Sequence, residues 1–204
     1  ANVLPQLNGS FLTLNLANAR HAFEAVPWVR KATVRRDFPN RLKVILEEHK
    51  PAAYWGAEGE SQLLNTFGEV FEANLGEVEH EALPRLNGPQ EQAPRVLGMY
   101  RTLQPRFLEL DLGLESLELS ASGSWVAQLD NGAEVDLGRG EDKDVDARTA
   151  RFLHTLTQVS ARYNRRPDDL ESADLRHSGG YALRLTGVTT VTAEAAATAA
   201  AAAQ

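Results

Sequence analysis

The first quarter of the chain has the hydrophobic pattern of a helix followed by a β-hairpin. Four apolar residues are spaced as on one face of a helix: Ala17, Ala22, Phe23 and Val26. Pro27 ends this stretch, and Trp28–Arg36 and Arg41–Glu48 then alternate apolar and polar residues as strands do. The segment 37–40 between them contains Pro39 and Asn40, which favour tight turns. The pattern predicts a small sheet backed by one or two helices.

The rest of the chain alternates short strand patterns with two longer helical ones. Strands are predicted at Gln62–Asn65, Val70–Glu72, Leu83–Leu86, Leu117–Ala121, Trp125–Leu129, Ala133–Leu137, Ser172–Arg176 and Tyr181–Leu185. Apolar residues at helical spacing predict helices over Gln90–Leu110 and Lys143–Tyr163. The sequence Asp-Asn-Gly at 130–132 is the clearest hairpin signal. Together these patterns predict an α+β domain with a mostly antiparallel sheet.

Charge changes sign along the chain near Pro51. Residues 1–50 contain eight Lys and Arg against four Asp and Glu, whereas residues 51–204 contain 13 against 24. We therefore predict a small domain at 1–52, a larger one at 53–186, and a disordered Ala/Thr-rich tail at 187–204. The net charge of −7 argues against nucleic acid as the main partner.

Little in the sequence points to catalysis, and we expect no cofactor and no metal. Without cysteine there is no thiolate zinc site and no cysteine nucleophile. The segment 77–81 resembles a metal site only in composition, and a solvated charged loop is the simpler interpretation. Gly138-Arg139-Gly140 resembles a phosphate loop, but four acidic residues crowd the following helix start, so a strand-to-helix turn is favoured.

Six segments resemble the bacterial cell-division family FtsQ/DivIB. PWVRKATVRR (27–36), FPNRLKV (38–44) and EEHKPAAYW (47–55) are similar to its POTRA domain and the junction that follows. LPRLNGP (83–89), LGRG (137–140) and DLR (174–176) are similar, in order and spacing, to its β domain. The resemblance runs from about Gln6 to Leu185.

The resemblance implies both a fold and a function. The fold is a POTRA domain of β-α-α-β-β order, a larger β domain and a flexible tail. The function is that of a non-catalytic divisome scaffold that binds the FtsB–FtsL pair and connects FtsK to septal peptidoglycan synthesis by FtsW and FtsI. The family is anchored in the inner membrane by one N-terminal transmembrane helix. The only methionine of this chain is Met99 and no apolar run is long enough to span a bilayer, so we expect the chain to be the periplasmic portion.

Sequence and resemblance place a partner at the C-terminal sheet edge. If Tyr181–Leu185 is the last strand, its outer edge is free to accept another strand. The resemblance puts the FtsB contact at Arg176, His177, Gly179, Gly180, Tyr181, Ala182, Leu183, Arg184 and Leu185. We expect Tyr181 or Leu183 to be the apolar anchor, and the two glycines to set the turn through positive φ or close approach. The alternative is a solvent-facing edge with no partner.

The predicted N-terminal hairpin carries a second candidate surface. Its six cations are Arg30, Lys31, Arg35, Arg36, Arg41 and Lys43. A solvated sheet face is the simplest interpretation, and the hypothesis beside it is contact with anionic lipid or with a recruiting partner such as FtsK. Two other classes of function remain open at this point: a periplasmic POTRA-type chaperone or assembly module that captures extended segments, and a cell-wall hydrolase or transferase.

Overall fold

The computed structural model describes residues 10–73, 82–177 and 179–188. Most of the tail predicted at 187–204 and the acidic loop at 77–81 lie outside these residues. Contacts divide the chain into two compact units, 1–97 and 98–204. The domain limits at 52 and 186 stay predictions. No helix in the described ranges is long and apolar enough to cross a membrane.

The first unit begins with the predicted helix and hairpin. Helix α1 spans Leu16–Glu24, and the Asn15 side chain caps it by accepting hydrogen bonds from the backbone N–H groups of Ala17 and Asn18 at 2.9 and 3.2 Å. Strands β1 (Val29–Asp37) and β2 (Arg41–Glu48) pair antiparallel. Residues 11–13 form a turn, so one α-helix precedes the hairpin in the described part of the chain. The first strand of the expected order would fall before residue 10, outside that part.

Four further strands of the first unit belong to the larger sheet. They are β3 (Pro51–Trp55), β4 (Gln62–Asn65), β5 (Val70–Glu72) and β6 (Arg85–Asn87), in the spatial order β6-β3-β4-β5. The β3–β6 pair is parallel and the other two pairs are antiparallel. A short 3-10 turn then leads into helix α2 (Ala93–Leu108) where a helix over Gln90–Leu110 was predicted.

The second unit contains five strands and the longest helix. They are β7 (Leu114–Leu119), β8 (Ser124–Leu129), β9 (Glu134–Arg139), α3 (Asp142–Arg162), β10 (Leu170–Asp174) and β11 (Ala182–Leu185). The strand order is β11-β10-β9-β8-β7, with β9 and β10 parallel and the other pairs antiparallel. Trp125, Phe107 and Phe152 are fully buried in this unit. The predicted α+β class with a mostly antiparallel sheet is confirmed.

Candidate partner-binding site

Strand β11 has an edge that is unpaired by any strand the structure describes. It ends the strand order, so β10 is its one neighbour among the strands that the structure describes. The Thr186 N–H donates to the Asp169 carbonyl at 2.8 Å, on the β10 side. Because N–H groups of consecutive strand residues point to opposite sides, those of Leu183 and Leu185 face the open edge. Two backbone donors are therefore available there to an added strand.

The side chains of β11 divide between its two faces. Leu185 is buried, Leu183 is half-buried, and Ala182 and Arg184 are exposed on the opposite face. The ring of Tyr181 lies edge-on against Phe152 of α3, with centroids 4.9 Å apart. Its hydroxyl lies 2.7 Å from Thr155 Oγ1, also on α3. Since Tyr181 is already engaged inside the unit, Leu183 is the better placed of the two expected anchors.

Arg176 is held by two carboxylates of its own chain. Its Nε and Nη2 atoms donate to both Asp174 oxygens at 2.9 and 2.6 Å, and Asp136 Oδ2 lies 3.1 Å from Nε. The paired guanidinium holds the pKa of Asp174 well below its usual range. Gly138 lies against this side chain, because a Cβ there would be 3.0 Å from Arg176 Cγ. A partner carboxylate would have to compete with bonds that Arg176 already makes.

The turn before β11 is open to solvent. His177, Gly179 and Gly180 are exposed, and Ser178 lies outside the described residues. Neither glycine has φ in the left-handed range, and a Cβ on either would meet no atom within 4 Å. The expectation that these glycines are required for positive φ or close backbone approach is therefore wrong, because no atom of the described residues would exclude a side chain there.

The hairpin distributes its six cations between different roles. Four of them are exposed: Lys31, Arg35, Arg41 and Lys43. Arg36 is half-buried and its guanidinium donates to three backbone carbonyls of the preceding segment, those of Phe11, Leu12 and Leu14, at 3.0, 3.2 and 2.7 Å. Arg30 binds carboxylates outside β1. The candidate basic surface is thus smaller than the sequence suggested.

Arg30 belongs to a cluster that joins the hairpin to strands β4 and β5, which we call the junction cluster: Arg30, His49, Asn65, Glu69 and Phe71. Arg30 donates to both oxygens of Glu69 at 2.6 and 3.0 Å. Asn65, fully buried, donates from Nδ2 to Glu69 Oε2 at 2.7 Å. Its Oδ1 accepts from the backbone N–H of Glu69. These bonds tie β1 to the β4–β5 turn.

Aromatic packing completes the junction cluster. The His49 ring stacks on Phe71 with centroids 4.1 Å apart and an interplanar angle of 4°. Trp28 lies edge-on to the same Phe71 ring, with centroids 5.5 Å apart. Asn65 Nδ2 lies 2.9 Å from His49 Nδ1, which accepts this bond if the ring proton is on Nε2. The residues flanking the hairpin therefore share one apolar contact with β5.

The electrostatics of the junction cluster follow from these contacts. Hydrogen bonds from Arg30, with a further one from Asn65, lower the pKa of Glu69 from 4.5 to about 2. Burial lowers the pKa of His49 below its ordinary value of 6.5, which keeps the ring neutral at pH 7. Sequence patterns did not indicate this cluster, because Arg30 lies among five other cations and its carboxylate partner is 39 residues away.

The segment 77–81, considered above as a possible metal site, lies outside the residues that the structure describes. Within the described ranges, no three His, Cys, Asp or Glu side chains come close enough together to hold a metal ion. Gly138 and Gly140 have φ of +73° and +145°, and the residues that follow them start α3. This is the predicted strand-to-helix turn. Arg148 of α3 closes it by donating to the Arg139 carbonyl at 2.9 Å.

Comparison with known proteins agrees with this architecture. A family described as "Cell division protein FtsQ/DivIB, C-terminal" matches residues 53–176, and "POTRA domain, FtsQ-type" matches residues 2–49. The chain belongs to the FtsQ/DivIB family. A "Cell division protein FtsQ" of Thiomonas arsenitoxydans is 42% identical over 190 residues, 92% of this chain and 69% of that protein. Proteins of the same name from Burkholderia pseudomallei and Bordetella pertussis are 40% and 39% identical, and the matches cover 92% and 91% of this chain and 73% and 71% of theirs.

Proposed function

We propose that this FtsQ/DivIB chain is a non-catalytic divisome scaffold that binds FtsB by adding a partner strand to β11. The observation that carries the proposal is the open edge of β11, where the N–H groups of Leu183 and Leu185 point away from β10. A strand added there gains main-chain hydrogen bonds without any rearrangement of the sheet. Family membership supports a role in cell division.

The wider assembly belongs to the same proposal. FtsL is expected to bind together with FtsB, and FtsK, FtsW and FtsI are the further divisome partners. The chain acts in the periplasm at the division septum, as part of a protein with one helix in the inner membrane. Such a scaffold needs exposed edges and faces rather than a reactive centre, which agrees with the surfaces found on β11 and on the hairpin.

Proline at position 183 tests the proposed edge. Leu183→Pro removes an outward N–H, whereas the matched variant Leu183→Ala keeps that donor and removes most of the same side chain. We predict that Leu183→Pro weakens binding of an FtsB C-terminal peptide by at least tenfold more than Leu183→Ala does. A single hydrogen bond between neutral groups is worth about 1 kcal/mol. The proline ring also disturbs the neighbouring hydrogen bonds of the added strand.

The measurement is a titration of the purified chain by isothermal calorimetry. Circular dichroism and a thermal scan of each variant confirm that the domain is folded. If folded Leu183→Pro bound the peptide as well as Leu183→Ala does, strand addition at β11 would be wrong. If the unmodified chain bound unrelated extended peptides equally well, a general chaperone would describe it better than a divisome scaffold.

A further inference from the structure

The end of the β1–β2 hairpin exposes large apolar side chains. Phe38, in the turn, and Leu12, in the segment before α1, are each 72% exposed. Phe11 lies edge-on against Phe38 with centroids 5.5 Å apart, which links the two segments. Arg36 holds the Leu12 segment in place through the backbone carbonyls described above. The apolar surface is thus fixed to the hairpin by specific contacts.

Exposed cations lie at the same end of the hairpin. Arg35 and Lys43 are directly opposite each other in the antiparallel pair, and both are exposed. Like charges in that position destabilise a sheet. Neither residue forms an ion pair with any other residue that the structure describes. The next pair on the same face, Asp37 and Arg41, is joined by a weak contact of 3.8 Å. The hairpin end therefore has an excess of positive charge that its surroundings do not neutralise.

We propose that this hairpin tip, formed by Phe11, Leu12, Arg35, Phe38, Arg41 and Lys43, binds the surface of an anionic lipid bilayer. Exposed aromatic and leucine side chains enter the boundary between headgroups and acyl chains. Lysine and arginine at the same end of the hairpin reach the lipid phosphates. An anionic bilayer surface would cover the exposed apolar side chains and also neutralise the two opposed cations.

The net charge of the chain restricts lipid binding to a local surface. At −7 the molecule as a whole is repelled by an anionic bilayer, so attraction has to come from a local surface. The hairpin tip supplies one, because three of its six residues are cations and Asp37, the neighbour of Arg41, offsets one of these charges. The proposal does not rest on the β11 edge, so the two are tested separately: tip variants keep FtsB-peptide binding and β11 variants keep lipid binding.

Vesicle co-sedimentation with the full 204-residue chain tests the hairpin tip. We expect binding to vesicles of phosphatidylcholine mixed with phosphatidylglycerol, and little to phosphatidylcholine alone. Lys43→Glu is expected to weaken binding about fivefold or more, from the loss of one cation near the surface. The same change places a carboxylate opposite Arg35, so the melting temperature should stay level or rise. A merely destabilising substitution would lower it.

Matched variants separate the tip from general surface effects. Phe38→Ala is expected to weaken binding about fivefold through lost apolar contact. Leu108→Ala removes an apolar side chain of α2 that is 53% exposed, and Arg151→Glu reverses an exposed cation of α3, and neither should change binding measurably. The proposal is overturned if the chain does not co-sediment with anionic vesicles at low salt, or if the tip variants bind these vesicles as tightly as the control variants do. Either result would favour a protein and not a lipid surface as the partner of the hairpin tip.

Discussion

Glu69 shows how one side chain couples stability to pH. Its carboxylate accepts two bonds from Arg30 and one from Asn65, and its pKa is lowered from 4.5 to about 2. A carboxyl whose pKa is lower in the folded state than in the unfolded state stabilises the fold at pH values above its unfolded-state pKa. This contribution is lost as the pH falls toward the folded-state pKa. Because the side chain is 47% exposed, we expect the contribution to be modest, about 0.5 to 1 kcal/mol at pH 7.

We therefore predict that Glu69→Gln lowers the free energy of unfolding at pH 7 and that the difference from the unmodified chain shrinks as pH falls from about 5 to 2. Urea unfolding at a series of pH values is the measurement. Glu48→Gln, which removes an exposed carboxylate at the end of β2, is the matched control and should lower the free energy of unfolding at pH 7 by less than Glu69→Gln does. A difference between Glu69→Gln and the unmodified chain that stayed constant down to pH 2 would show that the Arg30 bond does not set the charge state of Glu69.

Single residues were the part of the molecule that sequence reasoning predicted least well. Arg30, Arg36 and Lys43 all belong to one run of cations, yet Arg30 binds a distant carboxylate and Arg36 binds backbone carbonyls. Lys43 forms no ion pair with another described residue and lies opposite Arg35. The partners of the first two lie 39 and 22 to 25 residues away. Composition reports the charge of a segment, but the role of each charge depends on contacts that only the fold creates.

Among the elements, β11 depends on α3 for its position. Tyr181 precedes the strand and places its hydroxyl 2.7 Å from Thr155. We predict that Tyr181→Phe, which keeps the ring contact with Phe152, loosens the strand by about 1 kcal/mol. Backbone amides of β11 should exchange hydrogen about fivefold faster, by mass spectrometry. Tyr163→Phe, at a tyrosine that is 56% exposed, is the control and should leave exchange in β11 unchanged. Unaltered exchange in Tyr181→Phe would mean that backbone pairing alone fixes the strand.

Element positions were predicted well where the signal is local. The turn at 130–132 is formed as expected, with φ of +84° at Gly132 and Asn131 Oδ1 accepting from the Ala133 N–H. The parallel pairs β3–β6 and β9–β10 were not predicted, because alternation shows which face of a strand is buried and not which strand lies beside it. The open edge of β11 was anticipated from its place as the last strand pattern, but the direction of its N–H groups required the register.

At the scale of the whole molecule, the junction cluster links segments that belong to different family domains. Residues 2–49 match the POTRA family and 53–176 the C-terminal family, yet residues 1–97 form one compact unit. Phe71, which lies in the second of these segments and is 8% exposed, contacts the first through His49 and Trp28. We predict that Phe71→Ala lowers the free energy of unfolding by about 3 kcal/mol. Amide exchange should rise in β1 and β2 as well as in β4 and β5.

Phe38→Ala is the matched comparison for this prediction, since it removes the same ring from an exposed position in the hairpin. It should change the free energy of unfolding by less than about 0.5 kcal/mol. Urea unfolding measures the free energy of unfolding of each variant, and hydrogen exchange by mass spectrometry measures the exchange of the strand amides. If Phe71→Ala raised exchange in β4 and β5 alone, the hairpin and the following strands would open independently of each other.

The parallel pairing of β9 and β10 has a consequence for biosynthesis. A parallel neighbour needs a long crossover, which here contains the 21 residues of α3. Because a chain is made from its N-terminus, β9 is the free edge of this unit until α3 and β10 have been synthesised. The growing chain thus displays a temporary edge before the final one on β11 exists. A chain whose synthesis stopped within α3 would offer a partner β9, with its own register and side chains, in place of the strand that we propose FtsB binds.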